Sequence, residues 1–281
     1  MILFIFEGKN DEPRLYKTLK EIFHFELNEE EILHYYCSNI FSLYDTIKEY
    51  GIFDGSVNLI NVLKEEAAKH KEVKSDLDRI KYSYEVSEIF MFFDYDIRKK
   101  DEKNKLTIEQ QNAKILELFN YFENESLDSE RNGIKLYINY PMIESYRFFK
   151  KELPDEDFKN YIFDLMSEKS FKKIVDEDSY YKNLKYLCFD LHKSGELKIS
   201  DDKARTEKIK QNWLLLKELN IKKAHFICTD DYSIPENKDS INQQTIFNKQ
   251  IEKYVIPNHE VAVLNAFPLF WFEYVDEQKI K

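Results

Sequence analysis

Two short apolar runs, each ending in acids, constrain this chain more than any other feature. Ile2-Leu3-Phe4-Ile5-Phe6 leads straight into Glu7, and Ile89-Phe90-Met91-Phe92-Phe93 leads into Asp94-Tyr95-Asp96. Short apolar runs of this kind read as strands buried on both faces, as in parallel sheets. Each then delivers carboxylates to its C-terminal end, the edge where open α/β sheets bind ligands. Alternation along an extended chain puts Asp94 and Asp96 on one side and Tyr95 on the other. Acids converging at such an edge fit a hard divalent cation. Carboxylates are the ligands magnesium prefers, and crowded like charges are costly until a cation relieves them.

The rest of the chain extends the pattern. Gly8-Lys9-Asn10-Asp11-Glu12-Pro13 places Asn10 or Asp11 to cap a helix, with Pro13 in its first turn. Leu15, Leu19, Ile22 and Phe23 recur at helical spacing, so this turn leads into a helix laid against the sheet. Residues 32–37 read as a strand, the region of Ile40, Leu43, Ile47, Val57, Ile60 and Leu63 as helical, and 66–82 as charged helix. Residues 98–105 contain no apolar side chain and form an exposed loop. Thr107 through Gln110 has capping-box form, and Ile108, Ile115, Phe119 and Phe122 carry a long amphipathic helix. Ile134–Ile138 is a further strand, running into Asn139-Tyr140-Pro141-Met142-Ile143-Glu144. This alternation predicts an α/β fold with a mostly parallel sheet flanked by helices. Residues 145–219 read as mostly helical. Ala224–Cys228 and Val261–Leu264 read as strands, with Thr245–Tyr254 helical between them. The expected organisation is one compact body over 1–281, with a core at 1–150, a helical insertion at 151–220 and a segment at 221–281 that returns to the sheet. Only 5 Gly and 6 Pro leave little material for a linker.

A formal net charge of −11 excludes a dedicated nonspecific nucleic-acid binder and suits a basic partner protein. Any nucleic-acid contact must be local, and Arg98, Lys99, Lys100, Lys103 and Lys105 stand directly after the second acidic group. Lys9, beside Glu7, is placed to meet a phosphate oxygen. Cys37, Cys188 and Cys228 show neither a disulfide framework nor zinc spacing, which fits a reducing cytoplasm. The N-terminal apolar run is too short for a signal peptide, and no segment reaches membrane-spanning length. The aromatic stretch Phe267–Tyr274 reads as core, with an interface in a homo-oligomer as its alternative use.

The string Phe4-Ile5-Phe6-Glu7-Gly8-Lys9-Asn10-Asp11, followed by the apolar run into Asp94-Tyr95-Asp96, resembles the Toprim domain of topoisomerases, primases and OLD-family nucleases. Asn139-Tyr140-Pro141-Met142-Ile143-Glu144-Ser145-Tyr146 resembles an element of small bacterial Toprim-like proteins of phage defence, the RloB and AriB types. The resemblance covers about residues 1–150. It implies a Toprim/Rossmann-like fold and a nuclease centre in which Glu7, Asp94 and Asp96 bind Mg2+ or Mn2+, with Asp11 and Glu144 as further ligands. It also implies phosphodiester hydrolysis of DNA or RNA, transfer RNA included, in abortive infection and beside a partner ATPase. Neither the tyrosine-bearing cleavage domain of a topoisomerase nor the zinc segment of a primase is present.

A rival reading pairs Phe92-Phe93-Asp94-Tyr95-Asp96 with Phe226-Ile227-Cys228-Thr229-Asp230-Asp231 and resembles haloacid-dehalogenase-type phosphatases. It makes Asp94 the nucleophile and Asp96 the acid/base and leaves Glu7 unused; Arg98 stands where Thr or Val is expected two places after the second acid. A third reading is a non-catalytic Toprim-like module that binds a partner.

Overall fold

The computed structural model describes residues 1–9, 11–24, 27, 29–36, 38–51, 58–69, 76–95, 97, 106–125, 133–187 and 203–275. The chain divides into two compact units. Met1–Pro13 with Leu27–Tyr137 form the first, and Arg14–Glu26 with Ile138–Lys281 form the second.

The α/β architecture read from the strand-helix alternation is present. The strands β1 (Ile2–Phe6), β2 (Glu31–Tyr35), β3 (Glu88–Asp94) and β4 (Gly133–Asn139) make one parallel sheet flanked by helices, in the order β2-β1-β3-β4. β1 lies between β2 and β3, parallel to both, with Phe4 opposite Phe90 and Phe6 opposite Phe92. Because side chains alternate, these residues project to one face, where Phe4–Phe90, Phe6–Phe92 and Phe92–Tyr137 ring centroids lie 5.3, 5.5 and 5.1 Å apart. Leu3 and Ile5 occupy the other face and are equally buried, which is why the run is apolar without interruption.

Helix α1 (Asp11–Phe23) starts just beyond β1 and buries Leu15, Tyr16, Leu19, Ile22 and Phe23. α2 (Ile40–Glu49) is capped by Asn39, whose side chain accepts the Ser42 N–H at 3.0 Å. α3 (Leu59–Lys69) precedes β3, and α4 (Ile108–Glu125) follows it. The capping box read at Thr107 forms. Gln110 Oε1 accepts the Thr107 N–H at 2.9 Å and Thr107 Oγ1 accepts the Gln110 N–H at 3.3 Å. The charged helix expected over 66–82 is not continuous, because residues 76–79 and 83–85 form separate 3-10 turns. Leu77 and Ile80 are both buried, and that fixes a tight turn against β2 where charge pattern alone suggested a solvated helix.

β2 carries a buried imidazole. His34 is 4% exposed, and burial pushes it down to about 4 against a weaker opposing pull from Asp76. It is neutral in the folded chain and takes a proton in the unfolded chain below about pH 6.5. Its contribution to stability is therefore intact above pH 6.5 and is lost as pH falls from 6.5 towards 4. At about 1.4 kcal/mol per unit, up to about 3 kcal/mol is at stake. We expect His34→Leu to flatten that part of the acid limb in urea unfolding followed by circular dichroism. An unchanged limb would refute the assignment.

The second unit contains β5 (Ile162–Asp164), α5 (Phe171–Asp178), α6 (Lys203–Thr229), α7 (Gln243–Gln250), a π-helical turn at Ile251–Val255, α8 (Ile256–Asn258), β6 (Glu260–Ala262) and α9 (Ala266–Tyr274). Three sequence expectations are corrected here. Ala224–Cys228 is not a strand but the last turns of α6. Ile209, Trp213, Leu216, Asn220, Ala224 and Ile227 are buried at helical spacing, and this long periodicity overrides a five-residue apolar run. The stretch 145–187 is mostly turns rather than helix, with α5 its single α-helix. Pro154 offers no amide, and Asp155 collects the N–H groups of Lys150 and Lys151 at 3.1 Å and the Tyr161 hydroxyl at 2.6 Å, competing with helix hydrogen bonds. The strand read at Val261–Leu264 forms as β6, but it pairs antiparallel with β5 in a separate two-stranded sheet instead of returning to the four-stranded one, and two residues on Leu264 makes an isolated bridge to Tyr140, directly after β4. The aromatic stretch near the C-terminus is core. Phe267, Phe270 and Trp271 are buried, and Trp271 lies 4.1 Å from the Phe23 ring of α1.

Candidate metal centre

Parallel register brings the first two predicted ligands together. With Phe6 opposite Phe92, Glu7 extends β1 by one residue and donates its N–H to the Phe92 carbonyl at 3.1 Å. Its side chain then turns across to β3, where Oε2 accepts the Asp94 N–H at 2.9 Å. Asp94 is the last residue of β3 and is 7% exposed. Two carboxylates thus share one sheet edge, and the orientation of Glu7 is fixed by a charge-assisted bond to backbone.

Tyr95 supplies the opposite anchor. It is 1% exposed, donates its hydroxyl to Asn112 Oδ1 of α4 at 2.7 Å, and is held protonated by burial, which raises its pKa. Asp96 and the basic residues Arg98, Lys99, Lys100, Lys103 and Lys105 lie outside the described residues, as do Asn10, Cys37 and Cys188. Among the described residues, no three His, Cys, Asp or Glu side chains gather to hold a metal ion.

Lys9 and Asp11 are both exposed, and Asp11 is the first residue of α1 rather than its cap. Its neighbour Glu12 was missed from sequence because it read as an ordinary acid in a helix first turn. It is 4% exposed, and its carboxylate lies over Gly8: a Cβ at Gly8 would come within 2.8 Å of Glu12 Oε2. The available signal was a residue without a Cβ four positions before an acid. Gly8→Ala is expected to cost about 1–2 kcal/mol through overpacking, and less than that in a Glu12→Ala background, where space has been made. Equal costs in both backgrounds, read from thermal unfolding, would mean that this contact is not what requires glycine.

Glu144 belongs to the second unit. It lies in a 3-10 turn, Ile143–Arg147, is 4% exposed, and pairs through Oε1 with Lys172 Nζ of α5 at 2.7 Å. The turn is held on both sides of Glu144, because Asn265 Nδ2 donates to the Ile143 carbonyl at 3.1 Å and to Ser145 Oγ at 3.0 Å.

Asp230 and Asp231, the second acidic pair of the phosphatase reading, are engaged elsewhere. They follow a helix, with Asp230 at φ 67° and ion-paired to Lys253 at 2.8 Å, while Asp231 accepts the Ser233 hydroxyl at 3.0 Å. Cys228 is a free thiol pushed up to about 11 by burial, and among the described residues no helix is long and apolar enough to cross a membrane. No protein-family model matches the chain, and no curated protein and no solved structure matches it.

Proposed function

We propose that the chain is a divalent-metal-dependent nuclease of Toprim-like type that serves as a phage-defence effector in the cytoplasm under the control of a partner ATPase. The observation that carries the catalytic reading is the Glu7 carboxylate bonded to the Asp94 amide at the shared end of two parallel strands. Glu7, Asp94 and Asp96 offer hard oxygen donors, the set that suits Mg2+ or Mn2+. When bound, such an ion neutralises charge on a phosphodiester and lowers the pKa of a coordinated water.

The chain's own residues do the rest. Glu7 is pre-oriented by backbone and needs no reorganisation on loading, and Asp94 is kept nearly dry, where its charge acts at lower dielectric. Lys9 meets a nonbridging phosphate oxygen, and the first turn of α1 adds amide donors to the same anion. Asp11 is the further ligand nearest this turn, and the basic run 98–105 receives the nucleic-acid backbone. The defence role and the ATPase rest on the resemblance of the motifs.

The test is incubation of the purified chain with plasmid, single-stranded DNA and total RNA, with Mg2+, with Mn2+ and with chelator. Loss of one substrate only when a divalent ion is present is expected. Loss that persists in chelator would overturn the metal reading, and phosphatase activity on small esters that survives Glu7→Ala would favour the rival.

A further inference from the structure

The turn that leads into β3 holds two aromatic rings out in solvent. Tyr82 is 57% exposed and Tyr84 75%, the highest exposure of any large apolar side chain among the described residues. Single exposed apolar side chains are ordinary, but these two stack on each other, with ring centroids 5.2 Å apart and planes within 6° of parallel.

The backbone beneath them is fixed. In the 3-10 turn at residues 83–85 the Glu85 N–H donates to the Tyr82 carbonyl at 3.1 Å and the Val86 N–H to the Ser83 carbonyl at 3.2 Å. Glu85 Oε2 accepts the N–H of Lys81 at 2.8 Å and that of Tyr82 at 3.1 Å, and the Ser87 N–H donates to the Met1 carbonyl at 2.8 Å. Ile80 and Val86, on either side, are buried. A ligand that meets these rings therefore has little backbone to order.

Ring geometry and charge decide what fits. An edge-to-face pair such as Tyr180 and Tyr181, at 73°, offers no shared plane, whereas a parallel pair leaves a flat outer face on which a third ring can continue the stack. Nucleic-acid bases have such faces, and sequence-tolerant binding of single strands combines aromatic stacking with nearby cations. Both cations needed are at this turn. Lys81 adjoins Tyr82 and is exposed, and Lys64 donates from Nζ to the Ile80 carbonyl. The acid of the turn, Glu85, is committed to its two backbone amides. In a duplex the bases are stacked on one another, so only an unpaired strand can offer them.

We infer that Tyr82 and Tyr84 form a stacking platform for the bases of single-stranded nucleic acid, with Lys81 and Lys64 available to its phosphates. This rests on the nuclease reading proposed above and names its substrate class. Platform and carboxylates belong to the same unit, at opposite ends of β3 and about 20 Å apart along the strand. The platform thus grips substrate away from the point of cleavage.

Fluorescence anisotropy of a labelled single-stranded oligonucleotide and of its duplex, at low salt and in chelator, tests the platform without any need for activity. Wild type is expected to bind the single strand more tightly than the duplex. Tyr84→Ala and Tyr82→Ala are each expected to weaken single-strand binding by about tenfold, the scale of one lost base stack. The double variant Tyr82→Phe/Tyr84→Phe keeps both ring faces and is expected to bind as wild type does. Tyr180→Ala removes an exposed tyrosine that is not in a parallel stack and is expected to change nothing.

Unchanged affinity in both alanine variants, equal affinity for duplex, or a loss in the phenylalanine variant as large as in alanine would each overturn the platform. So would absence of single-strand binding in wild type, and a Tyr84-dependent self-association in sedimentation would then assign the face to a second copy of the chain. Any of these results beside intact metal-dependent cleavage defeats the platform alone. Tyr84-dependent binding with no cleavage under any divalent ion defeats the nuclease reading instead.

Discussion

Glu7→Gln is expected to lower metal-dependent cleavage by roughly a thousandfold, about 4 kcal/mol of transition-state stabilisation, while leaving the fold intact. The substitution is informative because of what Glu7 does at the sheet edge. Its Oε2 accepts the Asp94 N–H at 2.9 Å, and the amide oxygen of Gln can accept the same bond. Shape and the backbone contact survive, and only the charge is removed. Glu7→Ala strips both, leaves a part-buried N–H without that acceptor, and confounds chemistry with stability. The expected signature is therefore a Gln variant with an unfolding midpoint at or slightly above that of wild type, since one of two adjacent negative charges is gone, and with weakened Mn2+ binding. Asp94→Asn should behave alike. A Gln variant that cleaves at the wild-type rate, with cleavage still abolished by chelator, would show that the ion is held elsewhere.

What sequence conveyed and what it did not follow from the range of the interactions involved. The strand ends at Glu7 and Asp94 were legible because both runs are local and buried on both faces, and parallel pairing then follows from the intervening helices. The cap at Thr107 was equally local. The helix through Ala224–Cys228 was not, because a short apolar run reads alike in either conformation and only the full 27-residue periodicity of α6 distinguishes them. The turns at 145–187 escaped for a related reason. Charge alternation there mimics a solvated helix, and the decision lies with Asp155 and Pro154, whose side-chain and missing-donor effects outweigh weak propensities. Lys172 and Asp176 could not be matched to Glu144 and Arg147 from sequence at all, since only tertiary folding brings α5 to that turn.

Asn265→Ala is expected to cost about 4 kcal/mol of stability. The residue is fully buried, and its side-chain amide ties the 139–145 segment to the start of α9. Nδ2 donates to Asn139 Oδ1 at 3.1 Å, to the Ile143 carbonyl at 3.1 Å and to Ser145 Oγ at 3.0 Å, while Oδ1 accepts the Phe267 N–H at 3.1 Å and caps α9. Its own N–H goes to Asn220 Oδ1 of α6 at 2.9 Å, and backbone is unaffected by the change. Removing the side chain deprives the Ile143 carbonyl and the Phe267 N–H of this partner, each loss worth about 1–3 kcal/mol, while Asn139 Oδ1 keeps the Ala266 N–H and Ser145 Oγ keeps the Leu264 carbonyl. These terms are coupled, so the sum overstates the effect, and about 4 kcal/mol is the scale at which losses become diagnostic of a buried network. Asn265→Ser retains an oxygen for the cap and should cost visibly less. Asn265→Asp retains the cap but loses the donors and buries a charge, so it should cost as much as Ala or more. Both tryptophans of the chain, Trp213 and Trp271, lie in the second unit, so urea unfolding followed by their fluorescence reads the unit in which the network sits. A midpoint for Asn265→Ala within about 1 kcal/mol of wild type would mean that water replaces the amide, and that the turn carrying Glu144 is held by its ion pairs rather than by this network.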